Sequence, residues 1–83
     1  MESRIETLEF INSLLLEENA TPLEGNQRFA DAGLDSLGTV FLLMALDQKY
    51  KVLKGVPSGE EVEYLGLETI TMKALVNKCR NSE

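Results

Sequence analysis

Asp35-Ser36-Leu37 is the place in this 83-residue chain where residue types and position could do chemistry. The tripeptide stands where a long polar loop meets a strongly apolar run. The chain has no His to activate Ser36, which excludes a hydrolase of the Ser-His type. A hydroxyl without a base is instead suited to be modified by another enzyme. A phosphodiester on Ser36 would sit at a helix N-terminus, where backbone donors and the positive end of the dipole favour negative charge. The plainer role for the same residues is capping, with Asp35 or Ser36 accepting a hydrogen bond from the first turn.

Other chemistries are poorly served. Asp31, Gly33 and Asp35 share a loop, but the oxygen ligands and distal Glu of a calcium loop are missing at the required spacing. A zinc site lacks ligands, because Cys79 is the single Cys and there is no His. Cys79 reads as a small apolar residue of the last helix. The carboxylates are scattered as on a solvated surface, so no acid–base pair stands out. No catalytic residue and no metal ligand is expected, and the protein is not expected to be an enzyme.

Charge narrows the partners. Lys and Arg total 8 against 14 Asp and Glu, a net charge of −6. Such a surface repels phosphate backbones and anionic lipid heads, which argues against nucleic-acid and membrane-surface roles. No early segment has the order of a signal peptide, and no apolar run reaches the length of a membrane span. Asn19-Ala20-Thr21 is formally a glycosylation sequon, but without a secretory signal it reads as chance. A cytoplasmic, reduced, monomeric protein is the expectation.

The elements that must hold Ser36 follow from caps and periodicity. Ser3 with Glu6 makes a capping box for a first helix from Ser3 to about Glu18. Ile5, Leu8, Ile11, Leu15 and Leu16 project onto one face of it, with Phe10 and Leu14 as an i, i+4 pair off that stripe. Residues 19–35 carry Pro22, Gly25 and Gly33 and read as a long loop, anchored by Leu23 and Phe29; loops of this length in small domains are often functional. A second helix runs from about Ser36 to Lys49. KVLKGVP then forms a linker, and Ser58 with Glu61 suggests a capping box for a short helix through about Tyr64. A last helix begins near Thr71, with Met72, Leu75, Val76 and Cys79 as its core stripe. The expected fold is all-α: one domain over residues 1–83, a small bundle of three longer helices and one short one.

The second helix is apolar on two sides. Leu42, Leu43, Leu46 and Tyr50, with Thr39 ahead of them, form one stripe; Leu37, Val40, Phe41 and Met44 form another on the opposite side. A helix apolar all round is normally buried all round, yet so small a domain has little core in which to bury one. Periodicity leaves two arrangements open: helices packed on both sides, or one face for the core and one for a partner.

ADAGLDSLGTVFLLMAL, residues 30–46, resembles the attachment site and second helix of acyl carrier proteins. The likeness extends over nearly the whole chain, through the first amphipathic helix, the long loop, Tyr50 as a closing aromatic and the final TMKALVNKC pattern. In that family the Ser of Asp-Ser-Leu receives 4′-phosphopantetheine from coenzyme A, and the thiol of the arm holds acyl groups as thioesters. The resemblance implies that Ser36 is the attachment residue and that Asp35 is the acid by which the phosphopantetheinyl transferase recognises it. It also implies that the stripe through Leu42, Leu43 and Leu46 faces the core. Leu37, Val40, Phe41, Met44 and Asp47 then form the surface for acyl-loading and acyl-processing enzymes.

The chain departs from the carriers of fatty acid synthesis, which usually place several acids along this helix. Gly38, Phe41, Gln48 and Lys49 stand at those positions, and residues 36–55 hold one acid, Asp47, against Lys49, Lys51 and Lys54. FADAGLDSL is similar to the form found in polyketide and peptide carriers, with Ala32 where Leu is common. The resemblance is therefore to a specialised carrier rather than the main fatty-acid one. Two other functions fit the residues alone: an unmodified helical module whose apolar strip binds a partner helix, and a small acidic regulator of a basic enzyme.

Overall fold

The computed structural model describes residues 2–82. Ser3 accepts from the Glu6 backbone N–H while Glu6 accepts from that of Ser3, closing the expected capping box. From it runs α1 (Arg4–Glu17). A 3₁₀ turn follows at Phe29–Ala32, then α2 (Ser36–Tyr50), the short α3 (Glu61–Leu65) and α4 (Met72–Asn81). The described residues are all-helical and contain no strand; a single antiparallel bridge joins Arg28 to Thr71. α1 packs chiefly on α4, and α2 packs against both. No helix among the described residues is long and apolar enough to cross a membrane.

The core is one cluster fed by every helix. Ile11 and Leu15 of α1 meet Leu42, Leu46 and Tyr50 of α2 and Met72, Leu75 and Cys79 of α4, all essentially inaccessible to solvent. Val52, expected as linker, joins them, as do Leu65 and Leu67 around α3.

Two expectations are corrected. The buried face of α1 centres on Ile11 and includes Thr7, whereas Ile5 and Leu16 are 72% and 60% exposed. At 100° per residue those two lie roughly 120–140° from Ile11, and Leu8, Phe10 and Leu14 flank the core instead. The polar Thr7 is tolerated at full burial because its hydroxyl donates to the Glu2 carboxylate at 2.8 Å. Ser58 does not cap the short helix. α3 begins after Glu60 with no side-chain cap bond, because the positive φ of Gly59 turns the chain. The Glu61 carboxylate instead folds back to accept from the Gly59 and Glu60 N–H groups.

The long loop is ordered because it is stapled at several points. Asn12 both accepts from the Leu23 N–H and donates to the Leu23 carbonyl, each at 2.9 Å. Met72 N–H donates to Gln27 O at 2.8 Å and Lys73 N–H to Gly25 O at 2.9 Å, so α4 begins by hydrogen-bonding to the loop. Leu23 and Phe29 are buried anchors, as their apolar character within a polar segment predicts, and Ala32 is buried beside them.

The C-terminal end of α2 is tied to the start of the chain. The Glu2 carboxylate accepts from the Tyr50 hydroxyl and pairs with Lys49 at 2.9 Å. The Lys49 ammonium also lies 4.2 Å above the Phe10 ring, which meets Tyr50 edge-on. Arg80 of α4 donates to the Glu2 carbonyl. The hydrogen bond from Tyr50, then that from Lys49, hold the Glu2 carboxyl down at about 2. Burial, then the neighbouring Glu2 carboxylate, push the Tyr50 phenol up.

Candidate functional site

The site is assembled at the opposite end of α2. Gly33 adopts a left-handed conformation, φ 81°, at the end of the 3₁₀ turn, which a side chain would strain. The chain then runs through Leu34 into Asp35, whose extended backbone makes it the N-cap of α2. Asp35 Oδ1 accepts from the Gly38 N–H at 2.6 Å, and its carbonyl accepts from the Thr39 N–H at 2.9 Å and the Thr39 hydroxyl at 2.8 Å. Asp35 is thus the cap that the sequence suggests, and Ser36 falls in the first turn.

Gly38 explains how tightly this corner closes. A Cβ added there would stand 3.0 Å from Asp35 Oδ1 and 3.1 Å from a Leu34 methyl. Nothing in the spacing of residues singles out Gly38 as a packing requirement; only its place three residues after a capping Asp hints that the backbone there must come close.

Ser36 is exposed, and its hydroxyl has no hydrogen-bond partner among the described residues. The caps at Gly38 and Thr39 leave the backbone N–H groups of Ser36 and Leu37 unpaired at the N-terminus of a 15-residue helix. These donors lie next to the hydroxyl and suit an anionic group.

Beside Ser36 opens a cleft of about 400 Å³. Phe29, Leu43 and Leu67 contribute apolar lining, with Val40 from α2 and Val62 from α3. Glu61 and Glu68 bring carboxylates to it, and no Lys or Arg lines it. Its contributors on and after α3, Val62 and Glu68 above all, follow from no local pattern, because only the tertiary fold brings them to the cleft that Ser36 lines.

The two stripes of α2 separate cleanly. Leu42, Leu43, Leu46 and Tyr50 are buried, while Leu37, Val40, Phe41 and Met44 are exposed, Phe41 by 50% and Met44 by 61%. Of the two arrangements left open by periodicity, the structure has one face in the core and one in solvent. Phe41, Met44 and Asp47 line a shallow groove on that outer side. Asp47 is committed locally, since its carboxylate accepts from the Leu53 N–H at 2.8 Å and holds the turn after α2. Among the described residues no cluster of three or more His, Cys, Asp or Glu could hold a metal ion.

No protein-family model, curated protein or solved structure matches this chain.

Proposed function

We propose that the chain is a specialised acyl carrier protein, bearing 4′-phosphopantetheine on Ser36 and presenting thioester-bound acyl or related groups to partner enzymes. One observation carries the proposal: an exposed, unpartnered Ser hydroxyl in the first turn of α2, with an exposed apolar strip leading away from it along the same helix. The residues fit the group. Ser36 Oγ is accessible for the phosphodiester, and the neighbouring N–H of Leu37 is available to an oxygen of the phosphate. The cleft beside Ser36 offers apolar walls to whatever the arm carries. When bound, the arm supplies a thiol that holds cargo as a thioester.

The protein's own work in this proposal is positioning. Asp35 fixes the start of α2 and so the place of Ser36 in its first turn. Asp35 also keeps a carboxylate beside the attachment point, which a basic transferase surface would recognise. Leu37, Val40, Phe41 and Met44 form the partner surface, and the bond-making chemistry belongs to the partners.

The test is loading. Incubation with a phosphopantetheinyl transferase and coenzyme A should add one phosphopantetheine to the intact mass of the wild-type chain and none to Ser36→Ala. Loading that persists in Ser36→Ala or maps to Ser58 overturns the assignment. A wild type that never loads leaves the unmodified interaction module, in which Ser36 merely starts a helix.

A further inference from the structure

The cleft beside Ser36 combines usable room with charge of one sign. Its volume of about 400 Å³ falls within the roughly 300–1,000 Å³ of small-molecule pockets. Apolar walls from Val40, Leu43, Val62 and Leu67 are interrupted by three carboxylates, those of Asp35, Glu61 and Glu68. Among the described residues no Lys or Arg lines it.

The three carboxylates differ in what holds them. Asp35 accepts from the Gly38 N–H at 2.6 Å. Glu61 accepts from the N–H groups of Gly59 and Glu60. Both acids are thus part of how a helix begins. Glu68, in the segment after α3, is exposed and makes no hydrogen bond or ion pair. It holds no element in place, so its charge acts only on what comes near the cleft.

Nothing in the side chains compensates that charge. Among the described lining residues only Ser36 and Thr39 carry a side-chain donor. The Thr39 hydroxyl donates to the Asp35 carbonyl at 2.8 Å, and the Ser36 oxygen is the one a phosphodiester would take. A carboxylate carried further into the cleft would lose water without gaining a side-chain donor. It would also approach like charge that only solvent and salt screen. An uncharged chain end meets neither cost.

Resting on the carrier reading, we infer that the cleft sorts cargo by charge, with Glu68 as the residue that sets the difference. Acyl groups with an uncharged free end lodge in it. Acyl groups that end in a carboxylate stay outside, in solvent.

The test attaches chains without a transferase. Cys79 is 0% exposed, so a thiol introduced by Ser36→Cys can be alkylated selectively. Three iodoacetamides of equal chain length are used, ending in a methyl, a carboxamide or a carboxylate. Amide chemical shifts of Val40, Val62 and Leu67 in the isotope-labelled full chain report entry. The methyl-ended chain should fill the cleft most, and the carboxamide-ended chain should follow. The carboxylate-ended chain should occupy it about three- to tenfold less than the carboxamide at low salt, with a smaller gap at physiological salt. Adding Glu68→Lys should admit the carboxylate-ended chain and close most of that gap, with little change for the carboxamide. A carboxylate-ended chain that enters as fully as the carboxamide while Glu68 is in place overturns the inference. Exclusion that survives Glu68→Lys also overturns it, since desolvation alone would then act, and so does a cleft that none of the chains enters. Loading by a transferase and coenzyme A is scored separately on the unsubstituted chain. Failure to load, with the order of entry kept, sinks the carrier reading and not the charge sorting.

Discussion

The two ends of α2 are built to opposite purposes. At the Tyr50 end, polar groups are used up on one another: Glu2 gathers Tyr50, Thr7 and Lys49, Lys49 covers Phe10, and Arg80 holds the Glu2 backbone. Three helices are bound together there, and no hydroxyl is left exposed among these groups. At the Ser36 end, the capping groups stop at Gly38 and Thr39, and the hydroxyl next to them is left unused. The difference teaches where a small domain can leave a hydroxyl accessible. A side chain that stays open to solvent cannot also carry the packing, and here the interlocking contacts gather one helix length away.

The largest effects should come from the buried stripe between those ends. Leu46 is 0% exposed, and Leu46→Ala should cost ~2–5 kcal/mol, a large share of the ~5–15 kcal/mol typical of a whole domain. Phe41→Ser, on the outer stripe, should change stability by less than about 0.5 kcal/mol. Urea melts of the two variants decide the matter, and equal losses would mean that the two faces of α2 are assigned the wrong way round.

Asp35→Ala should cost about 1–2 kcal/mol through loss of the cap at Gly38, whereas Ser36→Ala, one position on, should be nearly silent in the same melts. A Ser36→Ala loss as large as that of Asp35→Ala would show that the hydroxyl is structural.

At the other end, Glu2→Gln should cost roughly 1 kcal/mol at neutral pH, discounted for the partial exposure of the carboxylate. The folded-state value of Glu2 lies below the ordinary carboxylate value of 4.5, at about 2. Its contribution is therefore complete above pH 4.5 and is lost as pH falls from there towards 2. Stability curves of wild type and Glu2→Gln should converge over that window; parallel curves would remove Glu2 from the network. The smallest effect should belong to Ser58→Ala, which caps nothing and should leave the melting temperature unchanged.

How much of this was legible beforehand varies with range. Ser3, Asp35 and Thr71 cap the helices they were expected to cap, because an N-cap is a bond between a side chain and a backbone two or three residues away. The α4 stripe was legible because its apolar residues repeat on one face only, and Met72, Leu75, Val76 and Cys79 are all buried. α1 misled, because Ile5 and Leu16 are apolar without being inside, and Thr7 is polar without being outside. Ser58 misled for a related reason: a capping box is a pattern of two residues, and Gly59 between them redirects the chain.

Sequence by itself determined that α2 exists, that Asp35 starts it and that Ser36 stands in its first turn, since each rests on contacts within a few residues. It also determined that two apolar stripes run along that helix, because periodicity depends only on residue order. Tertiary structure alone decided which stripe is inside: α1 and α4 both lie against Leu42, Leu46 and Tyr50, and no helix among the described residues covers Phe41 and Met44. It alone set Val62 and Glu68 beside Ser36, and Glu2 beside Tyr50, 48 residues away. Such contacts are long-range, and their partners are chosen by how helices of given lengths and loops fill one core, which no local pattern encodes.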